Sequence, residues 1–288
     1  MVTLTQQTLG ETLEAYLADL QAAGRSPLTI ESYRGTLTTL ARFLETHGIE
    51  DWSDVSPNDL RQFLTALQGN GLKSSSIGVQ ATITSSFFNW LDVQGLVQAN
   101  PMQRVKRPRK PQRIVKTFTD AELRAMFTAA ASSPNPARNK VILSLLLDCG
   151  LRASELLSVE PSDYDWATST LTVKGKGRKV RLLGVGRRSR EVFEAYLRCV
   201  DGNLWNLRRP GLAKVIRTLG KRAGVKAHCH LFRHTFACRF LDAGGTIDEL
   251  QYLLGHASIV ITMIYACAGQ EARARRSHAM HSPLDGLP

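Results

Sequence analysis

The stretch from Leu253 to Tyr265 sets a histidine, His256, and a tyrosine, Tyr265, nine residues apart. Upstream stand Arg152, just after Gly150-Leu151; Lys176, between two glycines; and His230 and Arg233, three residues apart. These types point to chemistry on an anion, because an arginine is costly to bury unless a carboxylate or phosphate binds it. Each also has an ordinary reading. Tyr265 can be a core aromatic with a satisfied hydroxyl, set among Leu253, Leu254, Ile259, Ile261 and Ile264, which read as core. Arg152 can pair with Glu155, and Lys176 can be a solvated lysine at a turn. His230, His234 and Cys229 raise the thought of a metal, but there is no intervening glutamate of the His-Glu-x-x-His kind and no further ligand at a recognisable spacing, so no metal site is expected.

The elements that must position these residues follow from the hydrophobic pattern. Thr119-Asp120-Ala121-Glu122 is a capping box, with Phe118 and Leu123 placed to staple, so a folding unit starts near residue 118. The apolar run Val141–Leu147 reads as a buried helix ending at Gly150, which puts Arg152 at the start of the next one. Residues 170–174 and 179–183 alternate as strands of a β-hairpin around Gly175-Lys176-Gly177-Arg178. Its five cations, Lys174, Lys176, Arg178, Lys179 and Arg181, suggest a ribbon facing DNA. Helices are expected over about 189–200 and 211–223, and then a helix carrying His230 and Arg233 on one face. Thr246-Ile247-Asp248-Glu249 caps a helix that delivers His256, and Ser258 can cap the next, at whose far end Tyr265 emerges.

Residues 1–100 read as four amphipathic helices with short connections, a small bundle. Ser26-Pro27 and Ser56-Pro57-Asn58-Asp59 start two of them, and Lys73 with Ser74, Ser75 and Ser76 caps the fourth. Between 101 and 117 lies a linker rich in proline and positive charge, including Arg107 and Arg109, which cannot be one continuous helix. It suits a strap along a phosphate backbone, where each neutralised phosphate releases counterions. The expected organisation is therefore a helical domain over 1–100, a basic linker over 101–117 and a second domain over 118–288. The fold class is mainly α with a small antiparallel β-sheet.

Charge is divided unequally between these parts. The whole chain carries a formal net charge of +12, but residues 1–100 hold 5 Lys and Arg against 10 Asp and Glu, so the basic character belongs to the rest. That balance suggests a polyanionic partner. A net-negative bundle would grip DNA only through a local patch such as the one around Lys73. No apolar run approaches the roughly 18 residues of a membrane span, and the N-terminus lacks a secretory pattern, which together imply a cytoplasmic protein. Five scattered cysteines without a Cys-x-x-Cys suit a reducing compartment.

Together, Gly-Leu-Arg152-x-Ser-Glu-Leu, Gly-Lys176-Gly, His230-x-x-Arg233-His-Thr-Phe-Ala and Leu-Leu-Gly-His256-x-x-x-x-Thr-x-x-Tyr265 resemble the tyrosine recombinase (phage integrase) family in order and spacing. The specific match covers about residues 118–266, and the N-terminal bundle resembles the family's core-binding domain in outline. Cys229 and Phe232 depart from the commoner residues of the pattern without removing a catalytic group. The resemblance implies a site-specific recombinase with an N-terminal DNA-clamping domain. Tyr265 would be the nucleophile that forms a 3′-phosphotyrosyl link, and Arg152 and Arg233 would bind the phosphate's non-bridging oxygens. Lys176 would protonate the leaving 5′ oxygen. His230 would assist proton transfer from the tyrosine, and His256 would hydrogen-bond the phosphate. Glu155 would orient the arginine or a histidine. Lys73, Arg107, Arg109, Lys174, Arg178 and Lys179 would contact DNA. Covalent capture retains the phosphodiester's energy, so no cofactor, neither ATP nor a metal ion, is implied. The implied partner is double-stranded DNA with inverted-repeat half-sites, bound by a tetramer to which the C-terminal tail contributes. Two other readings stay open: a type IB topoisomerase-like nicking and resealing enzyme, and a non-catalytic DNA-binding protein on the same fold.

Overall fold

In the computed structural model, residues 8–106, 115–175, 180–200 and 202–267 are described, and the chain divides into two compact units, 1–112 and 113–288. The fold is mainly helical with one small antiparallel sheet. Among the described residues no helix is long and apolar enough to cross a membrane.

The first unit is built from α1 (Leu9–Ala22), α2 (Pro27–Glu45), α3 (Pro57–Gly69) and α4 (Ser74–Val93). Three of the four starts are written in local chemistry. Thr8 and Ser56 each accept a backbone N–H at the third helical position while Glu11 and Asp59 reach back, and Ser26 accepts the amide of Thr29 ahead of Pro27. The fourth start differs from expectation. Lys73 occupies the cap position, makes no side-chain cap bond, and the three serines lie inside α4. The core gathers Leu37, Leu40, Leu44, Leu60, Phe63, Phe87, Phe88 and Leu91, with the Trp52 indole edge-on to Phe87 and its Nε1 donating to the Leu9 carbonyl. Residues 101–105, expected to open the linker, belong to this core instead. Pro101–Arg104 form a 3-10 turn whose Met102 is buried, as is Val105 after it. Two apolar side chains at i and i+3 anchor that turn.

The second unit runs α5 (Asp120–Ala131), α6 (Pro136–Asp148), α7 (Ala153–Leu157), β1 (Tyr164–Asp165), β2 (Thr170–Lys174), β3 (Val180–Gly184), α8 (Arg187–Leu197), α9 (Arg209–Arg222), α10 (Cys229–Asp242), α11 (Ile247–Leu254) and α12 (Ile259–Cys267). Helix α6 is the central post. Val141, Ile142, Leu143, Leu145 and Leu146 are all fully buried, each contributing roughly 1.5–3 kcal/mol of apolar burial, and α6 packs against α5, α8 and α10. The hairpin forms as expected, with Lys174 opposite Val180 and Thr170 opposite Gly184. A short third strand, β1, pairs antiparallel with β2, and at two residues it is too brief to show an alternating pattern in the sequence.

Candidate active site

The start of one helix, the interior of another and an inward residue of a strand meet at a single carboxylate. After α6 the chain turns through Gly150 at φ +58°, where an added Cβ would lie 2.4 Å from the Phe236 ring. Only glycine fits that turn, and it aims Arg152 and α7 back toward α10. Glu155, buried, accepts the Arg152 amide at 2.8 Å and the Arg152 guanidinium at 2.6 Å. Its two oxygens also take Arg181 Nη1 at 3.1 Å and Nη2 at 2.8 Å, and Arg233 Nη1 stands 3.9 Å away. Burial alone would raise the Glu155 carboxyl, but the donors of Arg181 and Arg152 outweigh it and hold it at about 2. One negative charge thus faces three guanidiniums, leaving the site with a surplus of positive charge.

Arg181 corrects the reading of the hairpin as a ribbon with five outward cations. With the strand period of two, Val180 and Leu182 face solvent while Arg181 and Leu183 face in. Arg181 is buried, and besides gripping Glu155 it donates Nε to the Leu253 carbonyl at 2.7 Å. Gly255, in the left-handed region at φ +61°, packs directly against the same guanidinium. Lys174 remains exposed and is paired with Asp163 at 3.0 Å. Lys176, Arg178 and Lys179 lie outside the described residues, as do Arg107 and Arg109. Lys73 is exposed at the start of α4.

Arg233, 1% exposed, projects from α10 into the centre. Its Nη1 donates to the Gly150 carbonyl at 2.7 Å and its Nη2 to the Leu254 carbonyl at 2.6 Å. Desolvation, then the repulsion of Arg152, lower its pKa to about 10, so it stays charged at neutral pH. Nη2 also lies 3.0 Å from His256 Nε2. Since arginine can only donate, that nitrogen is the acceptor, and His256 Nδ1–H donates to the buried Thr262 hydroxyl at 2.9 Å. The His256 imidazole is pushed down to about 4 by burial and by Arg233 and Arg152. Arg152 is the outermost of the set. About a third of its side chain is exposed, with Nη2 at 3.4 Å from the Gly255 carbonyl.

Tyr265, 2% exposed, closes the site from α12. Burial raises its phenol, while the Arg233 guanidinium pulls the other way. Its ring is nearly parallel to that of His256, with centroids 6.4 Å apart. The α10 imidazole against its hydroxyl is that of His234, with Nδ1 at 2.9 Å. His230, to which the sequence reading gave the proton of this tyrosine, is exposed one turn earlier, its ring 5.1 Å from that of His234. His234 entered the sequence reading only as part of a rejected metal site, although its position four residues after His230 on a helix placed it on the same face.

The packing of α12 also differs from expectation. Ile259, Ile261 and Ile264, read as core, are 44%, 50% and 46% exposed, and Val260 and Met263 are exposed with them. Among the described side chains of α12 the buried ones are Thr262 and Tyr265, the two whose polar atoms reach the site. Leu254 on α11 is buried as expected.

Residues 116–271 match the phage integrase family, and residues 13–95 match the phage integrase N-terminal SAM-like domain. A tyrosine recombinase XerC of Bacillus pumilus is 31% identical over 281 residues, covering 90% of this chain and 91% of that one. Among solved structures, a lambda integrase dimer bound to a COC′ core site superposes with a TM-score of 0.75 at 18% identity, covering 91% of this chain and 78% of that one. A XerH site-specific recombinase bound to a palindromic difH substrate, in a post-cleavage complex, gives 0.72 at 19% identity, covering 95% and 84%.

Proposed function

The chain belongs to the phage integrase family and is a tyrosine-type site-specific DNA recombinase; from that premise we propose that Tyr265 is its nucleophile and that Arg152, Arg233 and His256 form the site for the scissile phosphate. The observation that carries this reading is the buried phenol of Tyr265 beside a cluster of guanidiniums that outnumbers its one carboxylate. Such a cluster is suited to bind the dispersed charge of a phosphodiester under attack.

The hydroxyl of Tyr265 attacks phosphorus, the Tyr265 Oη–P bond forms, and the bond to the 5′ oxygen breaks. Arg152 has the open side and binds one non-bridging oxygen. Arg233, held by two backbone carbonyls, presents the other donor without reorganising. His256, adjoining Arg233, takes up a proton at Nε2 when the charge of the phosphate offsets the push of Arg233 and Arg152, and donates it in a hydrogen bond to the same phosphate once DNA displaces their mutual contact. The departing 5′ oxygen takes its proton from Lys176. The 3′-phosphotyrosyl link keeps the energy of the broken bond, and a 5′-hydroxyl from another strand reverses the step. The substrate is double-stranded DNA with inverted-repeat half-sites, since symmetric half-sites mirror paired protomers. Strand exchange between two such duplexes employs four copies of the chain, with the C-terminal tail joining neighbours. Lys73, Lys174 and the cations at 107, 109, 178 and 179 hold the phosphate backbone.

The test uses a nicked suicide duplex, selected from a random-sequence pool by covalent capture on the unaltered chain. Tyr265→Phe is expected to bind this duplex in a gel shift as before and to form no adduct resistant to denaturant. Adducts persisting in Tyr265→Phe would overturn the assignment.

A further inference from the structure

We propose that His234, not His230, is the group that takes the proton from the Tyr265 hydroxyl during cleavage and returns it during rejoining. The inference rests on the reading of Tyr265 as nucleophile. Its basis is geometric: Nδ1 of His234 lies 2.9 Å from the phenol oxygen, within reach for direct transfer, and the two rings are 5.5 Å apart at 53°. The pairing joins the middle of α10 to the far end of α12, which sets the phenol in one orientation on a helix that is otherwise little buried.

The direction of the hydrogen bond follows from the surroundings. Burial raises the phenol, so Tyr265 holds its proton. Burial, then His230, His228 and Arg233, push the His234 imidazole down to about 4, so it is neutral at ordinary pH. A neutral imidazole next to a protonated phenol accepts through Nδ1 and carries its own proton on Nε2. The groups that face the pair are His228, His230, Arg233 and Cys238 from α10 and its cap, Arg152 from the start of α7, and His256 from the turn before α12, whose ring lies 6.4 Å from that of Tyr265. Most of them are cationic or can become so, which makes His234 a weak base in the free protein. A phosphate bound at Arg152 and Arg233 cancels that push and raises the affinity of His234 for a proton. The base therefore gains strength when DNA arrives, and the free enzyme's tyrosine stays protonated and inert.

The step balances. The Tyr265 Oη–H bond breaks and the proton moves to His234 Nδ1 as the Oη–P bond forms. The P–O5′ bond breaks, and the 5′ oxygen is protonated by the general acid. In rejoining, the imidazolium gives the same proton back to Tyr265 Oη as the tyrosine leaves.

The experiment measures single-turnover adduct formation on the captured nicked duplex between about pH 5 and 9, for the unaltered chain, His234→Asn, His234→Leu and Tyr265→Phe. Asparagine keeps a polar atom near the position of Nδ1 but cannot hold the proton, so it separates positioning from proton transfer. Both His234 variants are expected to bind the duplex as the unaltered chain does and to cleave at least about 100-fold more slowly, the low end for loss of a general base. In His234→Asn the plateau that follows deprotonation of the imidazole should vanish, leaving a rate that climbs steadily with pH as the phenol ionises by itself. If His234→Leu fails to fold, His234→Asn alone decides. A rate for His234→Asn within about threefold of the unaltered chain, with the same profile, overturns the inference while Tyr265→Phe still forms no adduct. Adducts in Tyr265→Phe overturn the nucleophile reading and this inference together.

Discussion

Around Glu155, Arg181 and Arg233 are almost fully buried, and their hydrogen bonds end on the carboxylate, on the carbonyls of Gly150, Leu253 and Leu254 and on His256 Nε2. On α12, a few ångströms away, five of nine residues are exposed apolar side chains, and Thr262 and Tyr265 tie the helix to the site through His256 and His234. The anion cradle is thus assembled before any substrate is present, which is where electrostatic stabilisation of a transition state is most effective. Tyr265, the proposed nucleophile, sits on an element with little apolar burial, the kind of segment that opens locally at low cost. Rigid donors beside a fixed phenol on a helix that can open suit the proposed reaction, in which the covalently linked strand has to be released to a new partner.

Removing the cradle's keystone should give the largest effect on stability. Glu155→Ala leaves Arg181 buried without a counter-charge, which costs about 3–5 kcal/mol in urea unfolding followed by circular dichroism. A loss below about 1 kcal/mol would mean that the cradle does not depend on its carboxylate. Gly150→Ala should cost less, about 1–3 kcal/mol for a strained left-handed residue, with additional crowding against Phe236. The same unfolding experiment checks it, and a neutral result would show that the turn relaxes freely. Val260→Ser on α12 is expected to stay within about 0.5 kcal/mol, as for other exposed positions. A loss of several kcal/mol there would erase the contrast between cradle and helix, because it would show that the exposed face is packed in solution.

Much of the scaffold could be read from local chemistry. Thr119, Thr246 and Ser56 begin helices where their sequences place a hydroxyl before a carboxylate, and the period of two in 170–174 and 179–183 marks the hairpin, whose second strand lies one residue later, at 180–184. The converging groups Arg152, Arg233, His256 and Tyr265 were legible because their residue types are hard to justify singly. Arg181 was not, since an arginine between two hydrophobic residues of a basic hairpin looks like an outward cation, and its partner Glu155 lies 26 residues away on another element. His234 stands beside His230, whose spacing to Arg233 already satisfies the motif, while the phenol that gives His234 meaning comes 31 residues later. The exposure of Ile259, Ile261 and Ile264 could not be inferred from composition, because apolar side chains alone do not disclose whether anything covers them.

The inward face of β3 sets a limit on how this chain can tolerate insertions and deletions. One residue gained or lost within β3 ahead of Arg181 would flip the strand's faces, turning the guanidinium out to solvent, stripping the Leu253 carbonyl of its donor and leaving Glu155 to Arg152. Two residues would restore the facing but shift the arginine by about 6.6 Å along the strand, beyond reach of either partner. Lineages of this protein that change hairpin length are therefore expected to do so beyond the paired strands, where the spacing from Arg181 to Gly184 is untouched.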